Sequence, residues 1–382
     1  MTVRTTAVAV TALALTAALT APALAAQQHT GAGGDHDATR QAVRAAVKNG
    51  VPGVTLTAKD GRNTWSMTAG VGNLKTGEPR SSRDRYRAGS ITKTFVATVL
   101  LQLEAEGRLS LDDTVEKWLP GLVHGNGHDG GRITVRQLLN HTSGVFDYTQ
   151  DETFVRTYLL KDGFFKHRYD QKTPEDLVAI AMSHKPVFAP GTSNSYSNTN
   201  YTLAARVIEK ATGRPYGEEI RSRVIEPLGL HATSVPGTRV TLPQPSSRAY
   251  SKLAETAAGP TYDVTKMNPA LVYGAGEMIS DSADLDRFYA ALLRGRLLPP
   301  QQLKEMKTTV PAEDVPNGGY GLGLIDRELS CGVHVWGHDG GLPGSSSNAW
   351  TTADGRHSLA FNFNGDWSGG DYEVFEAEFC GE

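Results

Sequence analysis

Strand-forming sequence is confined to the two ends of this 382-residue chain, and the long stretch between them reads mostly as helix. Near the front, Val54-Thr55-Leu56-Thr57-Ala58 and Ser66-Met67-Thr68-Ala69-Gly70 flank Asp60-Gly61, which predicts a β-hairpin. Ser90 to Glu106 then runs apolar at helical spacing and stops at Gly107. In the middle, Asp113 with Glu116 and Thr134 with Gln137 have capping-box spacing, and residues 174–184, 199–212 and 217–226 continue the helical pattern up to Gly213 and beyond. Residues 236–270 read as an irregular excursion, and Ser282 to Leu293 is helical again. Strands return at Val333–Trp336, Ser347–Thr351 and Ser358–Asn362, before a closing helix over Tyr372–Phe379. The two strand-rich ends are expected to pair into one antiparallel sheet. The expected fold is therefore α/β, an antiparallel sheet covered by helices, with an inserted all-α region and the active site in the cleft between them. The α/β part takes residues 40–108 and 268–382, and the mainly helical part 109–267.

Residues 1–26 combine a basic start, an Ala/Val/Leu/Thr core and Ala23-Leu24-Ala25, which is the pattern of a secretory signal peptide cleaved near Ala25/Ala26. Its apolar core is weak for a membrane span and contains Pro22. The mature protein is thus expected outside the cell, with no membrane span. Residues 27–39 are polar and Gly-rich and read as a flexible leader, His36 included. The net charge of -3 gives no electrostatic footprint for nucleic acid or anionic lipid. Two cysteines in an exported chain, Cys331 and Cys380, suggest one disulfide. No His/Cys/Asp/Glu cluster with metal-ligand spacing is evident, so neither metal nor cofactor is expected.

Three constellations carry chemistry. In Gly89-Ser90-Ile91-Thr92-Lys93, a serine and a lysine three apart at a helix start share one face. A serine hydroxyl needs a neighbour to take its proton, and lysine does so only when burial or nearby positive charge lowers its pKa. In Tyr196-Ser197-Asn198, alternation in an extended turn aims Tyr196 and Asn198 at one cleft, where a phenol between cations would ionise more easily. In Trp336-Gly337-His338-Asp339-Gly340-Gly341, glycines let a substrate backbone lie along a strand, and His338 is placed to offer a cation or a hydrogen bond opposite Ser90.

Taken together and in this order, the three motifs resemble the serine β-lactamase and penicillin-binding-protein superfamily, in its Tyr-x-Asn and His-x-Gly variant. The likeness is greatest to secreted D-alanyl-D-alanine carboxypeptidases and class C β-lactamase-like hydrolases, and it spans nearly the whole mature chain. Ile133–Gly144, Tyr320–Leu324 and Leu329–Val333 are further blocks of that kind. The resemblance implies a β-lactamase/transpeptidase-like fold and acyl transfer to Ser90, with Lys93 and Tyr196 relaying protons and Asn198 positioning Lys93. It implies an oxyanion hole at Ser90 and Gly341 beside Gly340, and small-molecule or peptide substrates with β-lactams among the candidates. It also departs from the pattern. The arginine and hydroxyls that hold a terminal carboxylate in those carboxypeptidases fall on Ile325, Asp339 and Gly341, and Glu116-Lys117-Trp118-Leu119-Pro120 only partly echoes a deacylating element. An esterase or D-aminopeptidase of the same fold, or a slow-turnover β-lactam binder, are therefore the alternatives to a carboxypeptidase.

Overall fold

A computed structural model describes residues 36–313 and 315–381; the expected signal peptide and residues 27–35 lie outside the described residues. The first helix, α1 (Asp37–Lys48), is followed by the hairpin β1 (Gly53–Asp60) and β2 (Asn63–Gly70). A single 3₁₀ turn, Gly89–Ile91, then leads into α2 (Thr92–Ala105). Among the helices that follow are α3 (Pro174–Met182), α4 (Asn198–Thr212) and α5 (Ser282–Leu293). The chain closes with β3 (Gly318–Tyr320), β4 (Ile325–Glu328), β5 (His334–Leu342), β6 (Ser345–Thr352), β7 (His357–Phe363) and α6 (Asp371–Cys380).

The two ends do form one sheet. Its order is β2-β1-β7-β6-β5-β4-β3, antiparallel throughout, and Val54↔Phe363 and Leu56↔Phe361 join the N-terminal hairpin to the C-terminal strands. Alternation along β7 explains the layers. Leu359, Phe361 and Phe363 enter a core with Val43 and Ala46 of α1 and Val374 and Phe375 of α6, while Ala360 turns to the other face. There, Phe95 of α2 and Phe288 of α5 stack at 3.7 Å in the larger core. The mostly helical region completes that core with Leu138, Leu177 and Tyr201. Among the described residues no helix is long and apolar enough to cross a membrane.

Local signals were used as expected at Thr134, which forms a full capping box with Gln137, and at Gly213, which ends α4 with φ 73°. Two expectations need correction. Thr114 rather than Asp113 caps the helix at Val115, because the Asp113 carboxylate is already engaged by Ser110 N, Lys117 Nζ and Trp118 Nε1. The expected leader over 27–39 ends by His36. Its Nδ1 lies 3.3 Å from Glu378 and its ring stacks on Trp65 at 4.2 Å, so partners distant in sequence fix a residue that composition alone assigns to solvent. The expected disulfide is present, joining Cys331 to Cys380 with Cα atoms 5.7 Å apart.

Candidate active site

Ser90 sits in the 3₁₀ turn that opens α2, and β5 passes directly across it. The approach is so close that a Cβ on Gly340 would meet the Ala88 carbonyl at 2.0 Å, and one on Gly89 (φ 57°) would meet Gly340 and Gly341 at 2.9 Å. Glycine is required at both places because backbone lies where a side chain would start. Serines of β6 stitch the same contact: Ser347 Oγ donates to Ala88 O at 2.8 Å and Ser345 Oγ to Arg87 O at 2.8 Å. Gly341 has no atom within 4 Å of a notional Cβ and shares a cavity of about 670 Å³ with Ser90. Nucleophile and strand end thus face one space between sheet and helical region.

Lys93, the second residue of α2 and one turn beyond Ser90, is fully buried, and its Nζ lies 3.0 Å from Ser90 Oγ. Two other contacts decide what it can do. Nζ donates to Asn198 Oδ1 at 2.8 Å and to the Ala275 carbonyl at 2.8 Å. A neutral amine has two N–H groups; both acceptors use them, and the lone pair is left for the Ser90 proton. Burial lowers the Lys93 pKa to about 7, against the opposing pull of Asp147 and Asp339. The Asn198 amide cannot flip without loss, because its Nδ2 donates to Asp147 Oδ2 at 3.0 Å and Thr149 Oγ1 at 3.2 Å. Burial also pushes Asp147 up, so both members of this pair are drawn toward their neutral forms.

Tyr196 lies beside Lys93, with Nζ 4.7 Å from the ring centroid. Its buried hydroxyl interacts with Ser90, which eases its acidity, but makes no hydrogen bond of standard geometry to a described group. The expectation of an easily ionised phenol is overturned. Burial is the largest influence and pushes Tyr196 well above the ordinary tyrosine value, and the carboxylates Asp339 and Asp147 add to it. Tyr196 is a phenol and thus a proton donor at neutral pH. His141 lies under its ring at 4.3 Å and accepts from Ser197 N at Nδ1, 3.2 Å away. Burial holds His141 well below the usual histidine range, so it supports the turn as a neutral ring.

His338 is also corrected. It is fully buried and does not line the cavity. Nδ1 bonds the Asp339 carbonyl at 2.6 Å and Nε2 the Tyr320 hydroxyl at 2.9 Å, so neither nitrogen is presented to a substrate. The strand's alternation turns His338 inward, whereas Asp339 shares the side of Gly341; its carboxylate is half-exposed and lies 3.5 Å from His338 Nδ1. Ile325 is buried in the core shared with α1 and α6, and Arg327 stacks on Trp350 and Phe375 with its guanidinium carbon 5.2 and 5.7 Å from their centroids. Neither Asp339 nor Arg327 lines the cavity. Asp147 and the Ala275 carbonyl were missed from the sequence. A lone aspartate in a loop carries no signal of its partner, and a carbonyl carries none at all.

The remaining cavity wall is largely apolar: Phe154, Tyr158, Leu159, Leu253, Met267 and Leu271 are on it, and Lys252 is its one cation among the described residues. Lys252 Nζ is tied to Gly259 O at 2.8 Å and Thr261 Oγ1 at 2.9 Å.

Comparison with known proteins agrees with this geometry. The chain is 60% identical to the D-stereospecific amidohydrolase from Streptomyces sp., with a TM-score of 0.87 over 91% of this chain and 99% of that one. D-amino acid amidase from Ochrobactrum anthropi SV3, complexed with L-phenylalanine amide, is 28% identical with a TM-score of 0.76, over 89% and 97% of the two chains. Penicillin-binding protein 4 of Amycolatopsis lactamdurans is 27% identical over 315 residues, 78% of this chain and 76% of that protein. The Beta-lactamase family model matches residues 39–374, and with Lys93 against Ser90 and Tyr196 beside Lys93 the chain belongs to the beta-lactamase family of serine hydrolases.

Proposed function

We propose that this protein is an exported D-stereospecific amidohydrolase that cleaves the amide of a D-amino acid with a bulky apolar side chain through an acyl-Ser90 intermediate. The observation that carries it is the cavity wall, apolar on several sides and without a free cation to hold a terminal carboxylate. The amidohydrolase and amidase named above support the D-amide substrate, and the leader at 1–26 supports export.

Neutral Lys93 takes the Ser90 hydroxyl proton as Oγ attacks the amide carbonyl, while Asn198 and Ala275 O keep its lone pair aimed. The N–H groups of Ser90 and Gly341 receive the developing oxyanion. Tyr196 gives its proton to the departing amine and regains one from Lys93. Water, losing its proton to Lys93, then attacks the ester, and Lys93 hands that proton to the departing Ser90 Oγ as the D-amino acid is released. The carboxypeptidase alternative lacks its carboxylate clamp here, since Ile325 is buried, Gly341 has no hydroxyl, and Asp339 is acidic where a hydroxyl would be needed.

The test is kcat/KM for D-phenylalaninamide, L-phenylalaninamide and an N-acyl-D-Ala-D-Ala peptide. The expected outcome is D over L by roughly a hundredfold or more, with the D-Ala-D-Ala peptide slower than the D-amide. Preference for that peptide, or for the L-amide, would overturn the proposal.

A further inference from the structure

Much of the wall of the Ser90 cavity comes from a segment with little regular structure. Between Val240 and Met267 the chain forms only the two-residue strands Tyr250–Ser251 and Tyr262–Asp263, yet Leu253, Ala254 and Met267 of this loop line the cavity. Fixing such a loop costs conformational entropy, so its shape has to be held by contacts with other groups. Both of its ends converge on one side chain. Arg87 Nη2 lies 3.2 Å from Val240 O at the start of the loop, and 3.3 and 3.1 Å from Thr265 O and Met267 O at its end. Met267 N closes the same base by donating to Val240 O at 3.3 Å.

Arg87 is 2% exposed, and no carboxylate pairs with it among the described residues. Burial lowers its pKa to about 10, which still leaves it a cation at neutral pH. Its Nη1 is buried without a hydrogen-bond partner among the described residues. A buried charge with no counter-charge costs stability, and an apolar side chain of similar volume is often as stable or more so. Stability alone therefore does not account for a guanidinium here. What an apolar residue cannot do is hold carbonyls from two ends of a loop at one point. The anchor also sits on the approach to the nucleophile. Arg87 pairs with Ile279, its carbonyl accepts from Ser345 Oγ at 2.8 Å, and Ser90 follows three residues later.

We propose that Arg87 is a positioning residue of the acyl pocket: it fixes both ends of the 240–267 loop to the strand that leads into Ser90, and so holds the cavity wall against a large acyl group. The inference rests on the acyl-Ser90 reading above and not on the D-amide substrate. Arg87 does not itself line the cavity, so its influence passes through Met267 and the loop.

The test is the rate at which two fluorophosphonates, one with a methyl and one with a phenylpropyl group on phosphorus, label Ser90 in the full-length wild type, Arg87→Met and Arg87→Lys. Methionine keeps an apolar stem and loses the guanidinium. Lysine keeps the charge, but its compact ammonium lacks the planar fork. The expected result for Arg87→Met is a fall of about tenfold or more in the ratio of the large-probe rate to the small-probe rate. A mere loss of folded enzyme lowers both rates alike and leaves the ratio as it was. Where Arg87→Met does not fold, the same fall is expected of Arg87→Lys. A ratio equal to or above that of the wild type in the variant read overturns the role of Arg87. A wild type that neither probe labels at Ser90 refutes the acyl-serine reading instead, and this inference with it.

Discussion

At the scale of the residue, the chemistry turns on one amine. Lys93 has two hydrogens committed to Asn198 and Ala275 and a lone pair directed at Ser90, and burial brings its pKa to about 7. Three outcomes are expected. Ser90→Ala should lose at least about a thousandfold in kcat, because only binding and oxyanion stabilisation remain. Lys93→Arg should lose comparably, since a guanidinium cannot give up its proton. The base works only when unprotonated, so kcat/KM should fall as pH drops through about 7 and level off above it. A steady-state pH profile from 5.5 to 9 checks that sign. The sequence named Ser90, Lys93, Tyr196 and Asn198, because spacing on a helix start and alternation in a turn are local. It misjudged Tyr196 and His338, because the state of a phenol depends on its burial and the aim of an imidazole on its partners. Tyr320, 18 residues from His338, and the Asp339 carbonyl are invisible to spacing.

At the scale of the element, the contact of β5 with the turn before α2 sets the geometry. Gly340→Ala would drive a Cβ into Ala88 O at 2.0 Å, and backbone cannot yield as a flexible side chain does. The expected effect is a loss of about 1–3 kcal/mol of stability by the overpacking scale, together with a drop in acylation rate larger than a mere loss of folded protein explains. Thermal melting and stopped-flow acylation measure the two separately. The disulfide belongs to the same scale but to the other end of β5. It fastens the loop before that strand to the end of α6. Reduction should lower the melting temperature, by up to about 4 kcal/mol of stability in the chain-entropy picture, while leaving acylation of the folded enzyme unchanged. Strands were legible because alternation over short runs bounded by turn residues is distinctive. The Asp113/Thr114 cap was not, since two good capping residues stand side by side and the choice depends on what else binds the Asp113 carboxylate.

At the scale of the whole molecule, the sheet made from both chain ends sets the lysine's helix against the helical region and leaves the Ser90 cavity between them. The expectation of one sheet from two ends was sound in outline, but pairing order and register are long-range and no local pattern specifies them. The cavity's charge follows from the same architecture. With Arg327 held against Trp350 and Phe375 and Lys252 tied to its own loop, a neutral amide should exceed a matched free-carboxylate substrate by about tenfold or more in kcat/KM, and Arg327→Ala should leave that ratio unchanged. A wild-type preference for the carboxylate that disappears in Arg327→Ala would restore a carboxypeptidase clamp. The activated serine itself is tested most directly by the rate at which a fluorophosphonate labels the protein as pH is varied, with the modified residue located by peptide mass. The expected result is a single label on Ser90, at a rate that rises through about pH 7 and collapses in Lys93→Arg. A label elsewhere, or an Arg variant that reacts as fast as the wild type, would contradict it.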